Sequence, residues 1–209
     1  MKFGITFFIC FLIFIAWRFY EQRKSERMEK KISDDFWKKE EEANQTRKKD
    51  ITNLPLLQVK KADLPKISST DEAVLNYMEH LHQIVKNPMI DLSEYSNTDL
   101  KLAYGVANFK TLCEYDDNFN HFLITLSNLA NSLMNVGLYE EAGNFFEFAL
   151  HYGSKRLNDY TGLAEVFLKL NKPEQITALI RQLEDGCHPR KTTIINALEE
   201  IKNSHSQRK

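Results

Sequence analysis

Along the chain the rhythm of apolar and polar positions changes three times, and each stretch predicts a different element. Residues 3–17 form an uncharged, almost wholly apolar run; Arg18, Phe19 and Tyr20 extend it to 18 residues if the arginine reaches back to the headgroups. At 1.5 Å per residue such a helix is about 27 Å long, close to the hydrocarbon thickness of a bilayer. From Glu21 to Asp50, 19 of the 30 residues are Asp, Glu, Lys or Arg, too polar to build a core. Met28, Ile32 and Phe36 lay only a thin apolar stripe on this charged helix, too few heptads to set a coiled coil, with Trp37 beside them. Residues 53–67 carry Pro55 and Pro65, which forbid a regular helix, among Leu54, Leu56, Leu57, Val59, Leu64 and Ile67, which are too apolar for an idle linker. From residue 70 onward the spacing becomes that of amphipathic helices.

The reading is therefore all-α: a transmembrane signal-anchor at 1–20, a charged, helical stalk at 21–52, an extended strap at 53–69 lying on the domain, with a partner-docking peptide as its alternative role, and a helical domain of about seven helices at 70–202, with a frayed tail at 203–209. Seven glycines and five prolines in 209 residues are few for a turn-rich β fold and agree with it. No small-x-small cleavage pattern follows the apolar run, so the helix is expected to be retained, with Cys10 facing lipid. Its flanks orient it. Arg18, Arg23, Lys24, Arg27, Lys30 and Lys31 lie on one side and only Lys2 on the other, which predicts a cytoplasmic C-terminal bulk.

Within the domain, Thr70 or Asp71 is expected to cap a first helix ending near Asn87 before Pro88, and Thr98 a second over 99–113, with a loop at 115–118. The last ninety residues then show a period of 34. One unit reads Leu126, Leu129, Ala130, Leu133, Gly137, Tyr139, Ala142, Phe146 and Ala149; advancing by 34 gives Tyr160, Leu163, Ala164, Phe167, Asn171, Pro173, Ile176, Ile180 and Leu183. Small residues let helix axes approach while aromatic ones fill the space above them. Gly137 and Asn171 stand where a turn needs positive φ. The repeats span 123–156 and 157–190, and Ile194, Ala197, Leu198 and Ile201 predict a capping helix at 191–202.

These positions resemble the tetratricopeptide repeat, and the chain as a whole, from Phe36-Trp37-Lys38-Lys39-Glu40 through Ser96-Asn97-Thr98-Asp99-Leu100, is similar to uncharacterised membrane-anchored proteins of this kind in Gram-positive bacteria. The resemblance implies an α-solenoid whose first helices line a groove, at Ile124, Ser127, Asn131, Asn135, Lys155, Arg156, Asn158, Thr161, Glu165 and Lys169. Chaperone-binding relatives clamp a terminal carboxylate with a lysine and an asparagine. Here Ser127 takes the first of those places and Asn131 the second, which disfavours a chaperone-tail reader.

Other chemistry is sparse. With 28 basic and 29 acidic side chains the net charge is −1, so no field selects nucleic acid. Three isolated cysteines supply neither a zinc ribbon nor a disulfide framework. No phosphate loop, dinucleotide fingerprint, HExxH or GxSxG occurs. His80 and His82 point about 200° apart on a helix and share no metal; the remaining histidines, His188 beside Cys187 included, are expected to be solvated or capping. The expectation is thus no catalytic residue, no metal, no cofactor and no small-molecule substrate. The expected role is that of a membrane-tethered interaction module for a cytoplasmic protein or peptide, with an extracytoplasmic envelope-assembly factor of the same fold and opposite topology as the alternative.

Overall fold

The computed structural model describes the backbone of residues 2–206 and the side chains of residues 11–204. Within that range the chain is all-helical: α1 (Lys2–Gln45), α2 (Glu72–Ile84), α3 (Asn97–Tyr104), α4 (Val106–Asn135), α5 (Tyr139–His151), α6 (Leu157–Lys169), α7 (Glu174–Asp185) and α8 (Lys191–Ser206), with a single 3-10 turn at Lys61–Asp63. Contacts divide the chain into two compact units. Unit 1 comprises the residues up to Asn53 together with Ser93–Leu112; unit 2 comprises Leu54–Leu92 and the residues from Cys113 on.

The apolar run and the charged stalk form one uninterrupted helix, α1, because no proline or glycine interrupts residues 5–45. Among the described residues no helix is long and apolar enough to cross a membrane. The side chains of residues 3–10, which belong to the expected span, lie outside the described residues. The far end of α1 departs from the solvated stalk expected there. Ala43 is fully buried, Lys39 meets Asp99 at 2.8 Å, and Glu40 accepts from Thr98 Oγ1 (2.6 Å) and from Lys101. Each of these polar partners sits in the first turns of α3, so charges that look idle in sequence are matched by a segment about 60 residues away.

Three further expectations are corrected, two in unit 1 and one in unit 2. Ser96, rather than Thr98, caps α3, its side chain accepting from the Asp99 N–H while Asp99 reaches back to the Ser96 N–H. The expected helix 99–113 is broken at Gly105, which has φ +86°, and the expected loop at 115–118 does not exist: α4 runs 30 residues through it. Leu112, Phe119, Phe122 and Leu126 are all buried, at spacings of seven, three and four that carry one apolar stripe across the polar stretch. Within unit 2 the polar residues of that stretch are used by the segment after α2: Asp116 accepts from the Leu92 N–H (2.9 Å) and Asn118 donates to Pro88 O (3.0 Å).

Unit 2 holds one continuous apolar core from Val59 to Leu198. The strap belongs to it. Val59 and Leu64 are buried, and Leu57 pairs with Met89 in an isolated antiparallel bridge, its N–H donating to Met89 O (2.8 Å). Asp71 caps α2, accepting from the Ala73 and Val74 N–H groups, and the helix ends at Ile84, a turn earlier than Pro88 requires.

From the second half of α4 onward, helices reverse direction at each short connection. Phe122 on α4 meets Phe148 and Tyr152 on α5, Phe122 and Tyr152 lying equally far on either side of the turn at Gly137. The Phe146 ring on α5 occupies the space above Gly162 on α6, where a Cβ would lie 2.4 Å from the ring. Tyr160 at the start of α6 meets His188 just beyond α7, and Lys202 on α8 donates to Thr177 on α7 (2.8 Å). Both turn residues take positive φ as the spacing requires, Gly137 at +81° and Asn171 at +56°. The final helix continues to Ser206 rather than fraying at 203, since neither glycine nor proline stops it; the last three residues of the expected tail lie outside the described residues.

Candidate functional site

Of the ten side chains expected to line a groove, most occupy one stripe on each of two neighbouring helices. On α4, Ile124, Asn131 and Asn135 are exposed and recur at i, i+7 and i+11; on α6, Asn158, Thr161, Glu165 and Lys169 recur at i, i+3, i+7 and i+11. Lys155 and Arg156 are half-buried in the connection that leads into α6. Asn131 donates Nδ2–H to Ser127 O at 2.9 Å, the Thr161 hydroxyl donates to Leu157 O at 3.2 Å, and the Lys169 ammonium lies 5.9 Å from the Tyr139 ring centre.

Ser127 does not line a groove. It is 1% exposed, and its hydroxyl bonds to the Leu123 carbonyl (3.0 Å) and to Asp159. Asp159, fully buried near the N-terminus of α6, accepts from Ser127 and from the buried Ser154 as well. This cluster ties α4 to α6 through the interior. Sequence reading passes over Asp159 because an acidic residue in a helix's first turn is ordinary macrodipole chemistry. Only contact with Ser127, 32 positions away, makes it an interior linker.

A second concavity lies elsewhere. A cavity of about 460 Å³ is bounded by α5, α6 and α7, with Leu163, Phe167, Leu179 and Leu183 as apolar walls and Tyr160, His151, Gln182 and His188 as polar ones. His188, expected to be solvated or capping, is half-buried rather than solvated, and its Nε2 is buried with no hydrogen-bond partner. Its Nδ1 accepts from the Arg190 N–H at 3.0 Å. Burial, helped by the nearby charges of Lys155 and Arg190, holds its pKa below the usual imidazole range, so the ring is neutral at pH 7. Burial likewise raises the Tyr160 phenol, with Asp159 adding to it. Cys187, also on the rim, is exposed. The residues of α6 facing the cavity (Tyr160, Leu163, Phe167) and those on the expected groove stripe (Thr161, Glu165, Lys169) point nearly half a turn apart at 100° per residue.

The polar cluster of unit 1 is the third concentration of charge. Lys101 bridges Glu40 and Asn44 (2.9 Å to Asn44) and lies 5.6 Å from the Phe109 ring centre. The Lys39 ammonium, then the Ser96 hydroxyl and N–H, hold the Asp99 carboxyl down to about 2 from its ordinary 3.8. A carboxyl whose folded pKa lies below its unfolded one stabilises above the unfolded value and loses that contribution as pH falls through the folded one. The α1–α3 attachment is therefore expected to hold at pH 5 and to loosen between about pH 4 and 2. Amide exchange at Asp99 and Leu100, followed down that range, checks it; protection unchanged at pH 2 contradicts it.

Among the described residues no group of three His, Cys, Asp or Glu side chains could hold a metal ion. The Cys113 thiol is pushed up by burial and by Asp117 and Asp116, which keeps it protonated and a poor nucleophile. Comparison with known proteins returned no match: no family model, no curated protein and no solved structure is similar to this chain. The arrangement offers surfaces and a cavity for binding.

Proposed function

We propose that the chain is a membrane-tethered protein-interaction module. In this reading, residues 3–20 hold it at the bilayer, and a tetratricopeptide-like stack takes an extended segment of a cytoplasmic protein on the joint face of α4 and α6. The observation that carries the reading is the pair of surface stripes, exposed Ile124, Asn131 and Asn135 beside exposed Asn158, Glu165 and Lys169 with half-buried Thr161 among them, on two helices locked together by the Ser127–Asp159 contact. Asparagine amides spaced along a fixed face suit an extended backbone, because each supplies both a donor and an acceptor. The unbroken apolar run and the basic residues that follow it support the anchor and its orientation.

The strap is part of unit 2's core, and unit 1 residues interrupt that unit in sequence, so the test uses the full-length chain in lipid nanodiscs. Proteins recovered from cytoplasm by the native chain are compared with those recovered by an Asn131→Ala, Arg156→Ala double variant. Both sites lie outside the core, so folding should persist. At least one partner is expected to fall by about tenfold, equivalent to 1.4 kcal/mol. Equal recovery of every partner removes the groove from the account.

A further inference from the structure

One face of α1 carries a concentration of positive charge that no ion pair in the structure uses. At 100° per residue Arg23, Lys24, Arg27, Lys30 and Lys31 fall within an arc of about 120°. All five are exposed, and none enters an ion pair among the described residues. The acidic residues of the same stretch, Glu21, Glu26 and Glu29, lie outside that arc. Two of them are engaged within the helix: Glu26 accepts from Gln22 (3.1 Å) and Glu29 from Ser25 (3.3 Å). Beyond Lys31 the sign of the face reverses, with Asp34, Asp35, Glu41 and Glu42 on it and Lys38 as the one base among them. Position along the axis matches the reach of a charged bilayer surface. Counted from Tyr20, the end of the apolar run, Arg23 to Lys31 lie about 5 to 17 Å along the axis and Asp34 about 21 Å. Headgroups occupy about the first 5–8 Å outside the hydrocarbon, and the field beyond them decays over about 8 Å at physiological salt. The bases of this face are therefore inside that field and its acids outside it. Orientation depends on how many bases follow the run and not on which face they occupy, so topology leaves the arc unexplained.

We propose that this face of α1 binds the headgroups of anionic phospholipids, so that the chain gathers such lipids around its anchor. The proposal rests on the tethered reading, since it needs residues 3–20 in the bilayer, and adds a lipid class to it. Bases close to an anionic surface are attracted to it one by one, and arginine meets phosphate oxygens through paired N–H donors. Lipid headgroups and free phosphate share that oxyanion chemistry. The five charges are spread over about 12 Å of helix, which a row of headgroups covers and a single phosphate does not. Glu26 and Glu29 on the flank limit the attraction, so a preference of a few fold is expected rather than tight capture.

Fluorescence of Trp17, at the end of the apolar run, reads which lipids surround the anchor. The full-length chain carrying Trp37→Phe, which leaves Trp17 as its sole tryptophan, is placed in nanodiscs of phosphatidylcholine and phosphatidylserine in equal parts. Either one lipid or the other carries a brominated acyl chain, which quenches only at close range. The ratio of quenching by brominated phosphatidylserine to that by brominated phosphatidylcholine is expected to be about three at about 0.1 M salt. It should fall to about one at about 1 M salt, where the screening length is about 3 Å. Replacing Arg23, Arg27 and Lys30 together by glutamine, all at exposed positions, is expected to lower the ratio by about half. Inorganic phosphate at matched ionic strength is expected to leave the ratio unchanged; if it abolishes the preference, the face takes free phosphate and the lipid assignment fails. Equal quenching by the two lipids, or a ratio that the triple variant does not change, overturns the proposal and leaves the tether standing. Quenching by neither lipid places Trp17 outside the bilayer and removes the tether, and the proposal with it.

Discussion

Alanine at Gly105 is expected to undo the attachment of α1 to α3 while leaving α6 and α8 intact. Gly105 has φ +86° and ψ 145°, a conformation that essentially only glycine adopts and that costs a side-chain-bearing residue about 1–3 kcal/mol. A Cβ there would also lie 2.2 Å from the Arg47 carbonyl oxygen and 2.8 Å from the Lys48 Cα. Backbone cannot swing aside as a flexible side chain can, so overpacking adds about 1–3 kcal/mol more. The contacts at risk are those that run residues 46–49 past the break: the Lys49 N–H to Tyr104 O (3.1 Å), the Lys49 ammonium to Leu102 O (2.9 Å), and Asn108 Nδ2 to Lys49 O (2.7 Å). The total is about 4 kcal/mol. Amide exchange should show lost protection at Lys49 and in α3, with α6 unchanged. Native protection at Lys49 in the variant refutes the role assigned to Gly105.

The second large effect is at Asp159. Removing its carboxyl group with alanine leaves the buried Ser154 hydroxyl without its acceptor, deprives Ser127 of one of two, and opens a space between α4 and α6. Interior polar groups stripped of partners cost about 1–3 kcal/mol each, and more where the lost partner carries charge, so about 3 kcal/mol is expected. For a chain of this size that lowers the melting temperature by about 6–12 °C. Asp159→Asn keeps one acceptor oxygen, and both serine hydroxyls can rotate to meet the amide, so its loss should be nearer 1 kcal/mol. Thermal unfolding followed by helical circular dichroism separates the two. If alanine and asparagine cost the same, the hydroxyl contacts contribute nothing beyond shape. A double-mutant cycle with Ser127→Ala isolates the α4–α6 link, for which coupling of about 1–2 kcal/mol is expected.

Legibility in the sequence followed the range of the interaction concerned. The helices of the last ninety residues could be placed closely, because apolar spacing and turn residues act within a few positions. Leu126, Leu129 and Leu133 are buried on one face, and the turns fall at Gly137 and Asn171 as their tolerance of positive φ requires. The strap could be placed on a core for the same reason, since prolines forbid helix while leucines demand burial. Errors arose where a residue's role is set by a distant partner. Tyr115-Asp116-Asp117-Asn118 reads as a loop, yet Asp116 and Asn118 serve the segment at Pro88–Leu92 and the helix runs on. Lys39 and Glu40 read as solvated charges, yet Asp99 and Lys101 await them.

The candidate sites divide the same way. The tetratricopeptide resemblance singled out Asn131, Asn135, Glu165 and Lys169, and all four are exposed on their helices, since a helix face is a local property. That Ser127 turns inward to Asp159, and that His188 is half-buried beside a cavity with an unmet donor, depends on which helices stand next to one another. By itself the sequence determined the helical class, the positions of the reversals in the last ninety residues and the apolar faces that had to be covered, since each follows from spacing within a few turns. The tertiary structure alone decided which polar groups those faces enclose and where a cavity is left between them, because burial belongs to pairs of residues that the chain holds far apart until it folds.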